Sequence, residues 1–136
     1  MINKSDLSLI ENEEINSIHL EEVEILNSLI SLVNDGKKVE LITTTFQEFI
    51  NHMQEHFTYE EGLMKGSGYA MYSIHQAEHY KVLNEARYNI MDWNSVKDIE
   101  RLREYFSEDL VAWYDQHVDA MDKPMADFLN ASSKES

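Results

Sequence analysis

The sequence predicts an all-α protein, an antiparallel up-down-up-down four-helix bundle preceded by an N-terminal arm. Three observations predict it. Apolar residues recur at helical spacing through four long segments. One proline and four glycines in 136 residues leave few places to turn, which favours a few long helices over many short strands. The breaks between the segments are short, so consecutive helices pack as antiparallel neighbours. At 16.0 kDa the chain reads as one domain, an arm over about 1–11 and a bundle over about 12–130, large enough to bury its own core.

The arm is polar, with Leu7, Leu9 and Ile10 as docking points. From about residue 12, Ile15, Ile18, His19, Val23, Leu26, Leu29, Ile30 and Val33 follow one helical stripe, and Asn34-Asp35-Gly36 ends it with a glycine suited to a C-cap. The second helix, about 38–65, carries Ile42, Phe46, Phe49, Met53, His56, Glu60, Leu63 and Met64, and Gly66-Ser67-Gly68 breaks it. The third, about 70–91, turns Tyr72, His75, His79, Val82, Ala86 and Ile90 inward, with a turn at Asp92-Trp93-Asn94-Ser95. Ser95 with Asp98 resembles a capping box for a fourth helix over about 96–121. Its inner stripe is Ile99, Leu102, Phe106, Leu110, Trp113, His117 and Met121; Pro124 ends or redirects it, and Met125 to Leu129 add a last apolar turn. Met53, Met64, Tyr80 and Phe106 read as core or boundary positions.

Charge and composition exclude several classes of function. With 11 basic against 26 acidic residues the formal net charge is -15, which repels phosphate backbones and anionic headgroups, so neither nucleic acid nor membrane is an expected partner. The absence of cysteine removes disulfides and thiolate ligands. Met1-Ile2-Asn3-Lys4-Ser5-Asp6 shows no basic-then-apolar signal pattern, and no run approaches the ~18 apolar residues that span a bilayer. These features predict a cytoplasmic protein.

The inner stripes carry groups that a core ordinarily excludes, because an unpaired buried imidazole or carboxylate is costly. His19, His56, His75 with His79, and His117 place a histidine on all four helices, joined by Glu60 and by an acid near the end of the last helix, Asp119 or Asp122. His56 and Glu60, and His75 and His79, are four apart and share a helix face. A metal satisfies such a set at once. Five imidazoles and two carboxylates exceed the four donors of a tetrahedral zinc, and the mixture suits iron or manganese in a dinuclear site of the kind bundle cores house. If both carboxylates bridge and a solvent atom bridges as well, the donors leave a single position of two octahedral ions open to a small ligand.

The set His19, His56-Phe57 with Glu60-Glu61 and Met64, Tyr69, His75 with His79, and Trp113 with His117 and Asp122 resembles the hemerythrins, especially single-domain bacteriohemerythrins, over about residues 12–125. The resemblance implies two non-heme iron ions joined by an oxo or hydroxo bridge, with Glu60 and Asp122 bridging. It implies that His75, His79 and His117 hold one iron while His19 and His56 hold the other, which keeps the open position. It selects Asp122 over Asp119, although the five-residue step from His117 turns side chains about 140° apart on an ideal helix. Either the helix loosens there through a π-type turn or the acid reaches around.

The expected ligand pocket comprises Glu22, Phe57, Trp113, Tyr114 and Val118. Phe57, Trp113 and Val118 fit the apolar wall that the resemblance implies; Glu22 and Tyr114 stand where the family usually has leucine. Glu22 either swings to solvent, with Val23 filling the gap, or turns inward to ligate the open iron or donate a proton to its ligand. The Tyr114 hydroxyl either reaches the ligand or faces outward. His52, at a position often aromatic in the family, is a packing residue, a surplus ligand or a partner to a ligand. The family's N-terminal tryptophan is missing, and Ala70 replaces its proline after the tyrosine between the second and third helices. The implied function is reversible binding of dioxygen or another small diatomic ligand for carriage, storage or delivery. The alternative is a di-iron redox enzyme or sensor reacting with dioxygen, peroxide or nitric oxide, with Glu22 modifying the open iron site.

Overall fold

The computed structural model describes residues 13–135, with side chains through residue 131; the predicted arm lies outside the described residues. Three rods come first, α1 (Glu13–Asp35), α2 (Val39–Ser67) and α3 (Tyr72–Val96). The fourth is continuous but changes pitch: α4 (Ile99–Glu104), a π-helical segment Tyr105–Leu110, α5 (Val111–His117), a second π-helical segment Val118–Asp122, and α6 (Lys123–Glu135). Successive rods pack on one another, and the fourth closes against α1, α2 and α3. The protein is an all-α four-helix bundle.

The rod ends follow local chemistry. Gly36, at φ +69°, ends α1 with its N–H on Leu32 O at 2.9 Å. Gly66 stays inside α2, and it is Gly68, at φ +72°, that takes the left-handed position and stops the rod. The expected turn at Asp92-Trp93-Asn94-Ser95 is instead helical, because Trp93 is buried and its indole Nε1 donates to Thr43 Oγ1 of α2 at 2.8 Å. That anchorage carries α3 on to Val96, and Lys97 makes the left-handed exit at φ 57°. Ser95 therefore caps nothing; Asp98 is the N-cap of α4, its Oδ1 accepting from Arg101 N at 3.2 Å.

Pro124 does not end the fourth rod. It is the second residue after the π-helical segment Val118–Asp122, where the widened turn relieves the clash a proline ring makes with the preceding turn. The π turns also shift the inner stripe. Tyr114, Val118 and Asp122 are buried, whereas Trp113 and Met121, expected inward, are half-buried. Tyr80 is exposed, not at the core boundary, because one residue beyond inward-facing His79 the helix has turned away by about 100°.

The core has two apolar clusters. The larger runs from Leu26, Phe46, Phe49 and Met53 to Phe57, Leu83, Phe106 and Tyr114; the smaller joins Ile15, Val23, Met64, Val118, Met125 and Ala126. The buried histidines and carboxylates lie among the residues of the smaller cluster and beside the end of the larger one, as Glu60 between Phe57 and Met64 and His117 between Tyr114 and Val118. Apolar residues thus seal a polar layer at both ends.

Candidate metal centre

Each rod delivers its polar residues by helical register. On α1 His19 lies one turn after Ile15, on α2 Glu60 one turn after His56, and on α3 His79 one turn after His75. The fourth rod delivers His117 and Asp122 five residues apart. A π turn advances about one residue further per turn than an α turn, and the π-helical segment Val118–Asp122 lies between the two. Of the two routes open to Asp122, the chain takes the loosened helix. Asp119 is exposed and lies 3.4 Å from Lys123 Nζ.

Donor atoms from these residues fall into two groups, each within 4.8 Å: Glu60, His75, His79, His117 and Asp122 in one, and His19, His56, Glu60 and Asp122 in the other. Every member is buried, and Glu60 and Asp122 belong to both groups. Glu60 Oε2 is 2.6 Å from His56 Nε2 and 3.4 Å from His19 Nε2, while its Oε1 is 3.3 Å from His79 Nε2 and 3.6 Å from His75 Nε2. Asp122 divides the same way, Oδ2 to His19 at 3.1 Å and Oδ1 to His75 and His117 at 3.1 and 3.2 Å. Each carboxylate turns one oxygen to each group.

These contacts test whether a cation fits. His19 Nε2, His79 Nε2, Glu60 Oε1 and both Asp122 oxygens are buried and, despite their proximity, make no properly directed hydrogen bond. Such orphans are rare and costly. Adjacent donors around an octahedral ion with bonds of about 2.1 Å stand about 3 Å apart, close to the separations found here. The donors aim at shared points more than at one another, and the nitrogen–oxygen set suits iron or manganese.

Without a cation, the carboxylates favour protons on most of the imidazoles around them. Burial opposes charge on His19, but Asp122 and Glu60 outweigh it and raise its pKa to about 9. The same opposition and the same carboxylates take His75 to about 9. Burial also works against His56, yet Glu60 and Glu22 hold it well above the ordinary imidazole value. For His79 burial prevails and the pKa falls. Burial would raise both Glu60 and Asp122; for Glu60 the charge of His56 and the close approach of the surrounding imidazoles hold it well below the carboxylate range, and for Asp122 the close approach of His117, His19 and His75 does so.

The pocket residues distribute around this layer. Phe57 stacks on His79 at 3.9 Å between centroids and lies 5.1 Å from His56, so it touches both groups. Trp113 stacks on His117 at 4.4 Å and donates its Nε1–H to Glu78 at 3.0 Å. Val118 packs with the Ile15 and Val23 cluster. Tyr114 faces inward, 1% exposed, and its hydroxyl has no hydrogen-bond partner among the described residues. Glu22 is fully buried and Val23 is buried beside it, so the carboxylate does not swing to solvent. Its Oε2 lies 2.9 Å from His56 Nδ1 and 2.9 Å from His52 Nδ1, outside both donor groups.

One supporting residue carried little sequence signal. Glu61 Oε2 lies 3.2 Å from His79 Nδ1, and Glu61 Oε1 accepts from Gln76 Nε2 at 2.9 Å. The packing of α3 against α2 brings it to His79 and Gln76.

A four-helix bundle whose core closes on two carboxylate-sharing groups of buried imidazoles belongs to the class of bundle proteins that hold cations between their helices. Residues 11–129 match the family model described as the hemerythrin HHE cation binding domain, and the chain belongs to the hemerythrin family. It is similar to a bacteriohemerythrin of Aquifex aeolicus (strain VF5), 27% identical over 129 residues that cover 95% of this chain and 98% of that relative. It is also similar to a bacteriohemerythrin of Ralstonia nicotianae (strain ATCC BAA-1114 / GMI1000), 30% identical over 105 residues that cover 75% of this chain and 72% of that relative. No solved structure matches the chain significantly.

Proposed function

We propose that this protein binds dioxygen reversibly at a non-heme di-iron centre, for carriage, storage or delivery in the cytoplasm. The observation that carries the reading is the sharing of Glu60 and Asp122 between two donor groups, one oxygen to each, which is the arrangement two adjacent cations require. In this reading His75, His79 and His117 hold one iron, His19 and His56 hold the other, and the two carboxylates bridge. When bound, the iron pair supplies the redox and ligand-exchange chemistry for taking up dioxygen or another small diatomic ligand.

The chain's own residues do the rest. The group with His19 and His56 offers four protein donors against five in the other, so the ligand position belongs on its side. Phe57, Trp113 and Val118 supply apolar walls that keep water away. Both bacteriohemerythrin relatives align over most of the chain, which favours the same class of activity. The alternative is a redox enzyme or sensor acting on dioxygen, peroxide or nitric oxide, with Glu22 modifying the open iron site as a ligand or a proton donor. Burial alone would raise Glu22, but the charge of His56 and the hydrogen bond from His52 hold it below the ordinary carboxylate value. An ionised carboxylate already engaged by two imidazoles accepts protons more readily than it donates them, and this favours carriage.

The test is direct. Protein reduced without air and loaded with ferrous iron is exposed to dioxygen while its visible spectrum is followed, and iron per chain is measured in parallel. Absorption that appears with dioxygen and reverses on degassing supports carriage. Rapid one-way oxidation refutes it, and iron well below two per chain refutes the di-iron centre.

A further inference from the structure

Among the described residues Glu22 is the only fully buried charged side chain outside both donor groups. Its Oε2 accepts from two imidazoles at once, His56 Nδ1 and His52 Nδ1, both at 2.9 Å. A carboxylate oxygen takes a ring N–H, and a His56 whose Nε2 holds a cation has its hydrogen on Nδ1, the atom that faces Glu22. The outer nitrogen keeps its hydrogen, and the inner Nε2, which meets Glu60 at 2.6 Å, is the atom whose proton a cation replaces.

His52 completes the arrangement from the surface side. It lies one turn before His56 on α2, is partly buried, and sets its Nε2 3.2 Å from exposed Glu21 of α1. Set between Glu21 and Glu22, its ring gives the buried Glu22 carboxylate a second partner. The result is a line running from solvent to the centre: Glu21, His52, Glu22, His56.

The two donor groups differ in how their imidazoles are braced. In the larger group Glu61 stands behind His79 Nδ1 at 3.2 Å. In the smaller group the Nδ1 of His19 has no hydrogen-bond partner among the described residues, which leaves His56 as its braced ring and Glu22 as the brace. A carboxylate behind a metal-bound imidazole fixes its orientation and tautomer and strengthens its donor nitrogen.

We infer that Glu22, held by His52, is the positioning residue for His56 and decides whether the His19 and His56 half of the centre retains its cation. This rests on the two-ion reading above. The lower donor count of that half makes it the more dependent on bracing. Removing such an outer partner costs about 10- to 100-fold in metal affinity.

The test compares wild type, Glu22→Leu and Glu22→Gln, each loaded without air with ferrous iron and then challenged with a chelator. Iron per chain is followed over time, and circular dichroism checks the fold. Wild type is expected to retain two ions. Glu22→Leu should shed one ion about 10- to 100-fold faster while the second leaves at the wild-type rate. Glu22→Gln keeps a neutral acceptor at the same place and should fall between them. Wild-type release by both variants, or equal acceleration of both ions, overturns the inference. Should the leucine variant fail to fold, wild-type release by Glu22→Gln alone overturns it. A wild type that never exceeds one ion per chain refutes the two-ion reading instead, so the two failures are distinct.

Discussion

Loading the centre with a divalent cation should release protons from named residues. His19 Nε2 stands 3.1 Å from Asp122 and 3.4 Å from Glu60, and His75 Nε2 stands 3.1 and 3.6 Å from the same pair. Against the cost of burial, these contacts raise both imidazoles to about 9. A group with that pKa is more than about nine-tenths protonated at pH 7.5, so each gives up close to one proton when a cation takes its Nε2. His56, raised well above the ordinary value, adds to the release, whereas His79, lowered by burial, does not. The constant for loading both ions should therefore climb about tenfold per pH unit for each proton displaced, hence at least about a hundredfold between pH 7 and 8, since His19 and His75 each give up one and His56 adds to them.

The same shifts set the stability of the cation-free protein. For His19 and His75, raised above their unfolded value near 6.5, the stabilisation is complete below that pH and disappears as the pH rises through about 9. Glu60 and Asp122 run the opposite way: their contribution is present above the ordinary carboxylate range and lost as the pH falls through their depressed folded values. Calorimetric titration with manganese(II), repeated in buffers of different ionisation heat, counts the protons. A release below about one proton per chain at pH 7.5, or a loading constant that is flat from pH 7 to 8.5, would refute the charged-imidazole description.

Three further outcomes follow from single side chains. Asp122→Ala should weaken retention of both ions, since Asp122 serves both donor groups, while His117→Ala should cost one ion; metal analysis after desalting decides, and equal losses would refute the shared carboxylate. Tyr114→Phe removes a buried hydroxyl that lacks a partner among the described residues, so its urea midpoint should hold or rise, and a loss above about 1 kcal/mol would reveal a partner. Phe106→Ala empties a fully buried site that meets Phe46 edge-on at 4.8 Å and should cost about 3–5 kcal/mol in equilibrium unfolding.

Helical periodicity carried most of the architecture. The stripes through Leu26, Phe46, Val82 and Phe106 are the buried ones, because an amphipathic helix has a single face to hide. The rod ends were less legible. Asp92-Trp93-Asn94-Ser95 has the composition of a turn, yet burial of Trp93 against α2 keeps it helical. Local propensity there is worth tenths of a kcal/mol and a buried indole several times that. Pro124 does not stop the rod for a related reason: the π-helical segment before it has already opened the turn.

The register that places His19, His56, Glu60, His75, His79 and His117 inward is written in spacing alone, since the helical repeat sets the face and height of every residue. What spacing does not set is rotamer and partner. The π-helical segment Tyr105–Leu110 has no counterpart in the periodic reading, and the one at Val118–Asp122 was one of two routes by which Asp122 could reach the centre. Glu22 is the sharpest case. Its position on α1 was consistent with solvent, with a ligand role or with proton donation, but the approach of α2 brings His52 and His56 together at its carboxylate, and that meeting exists only once the helices pack.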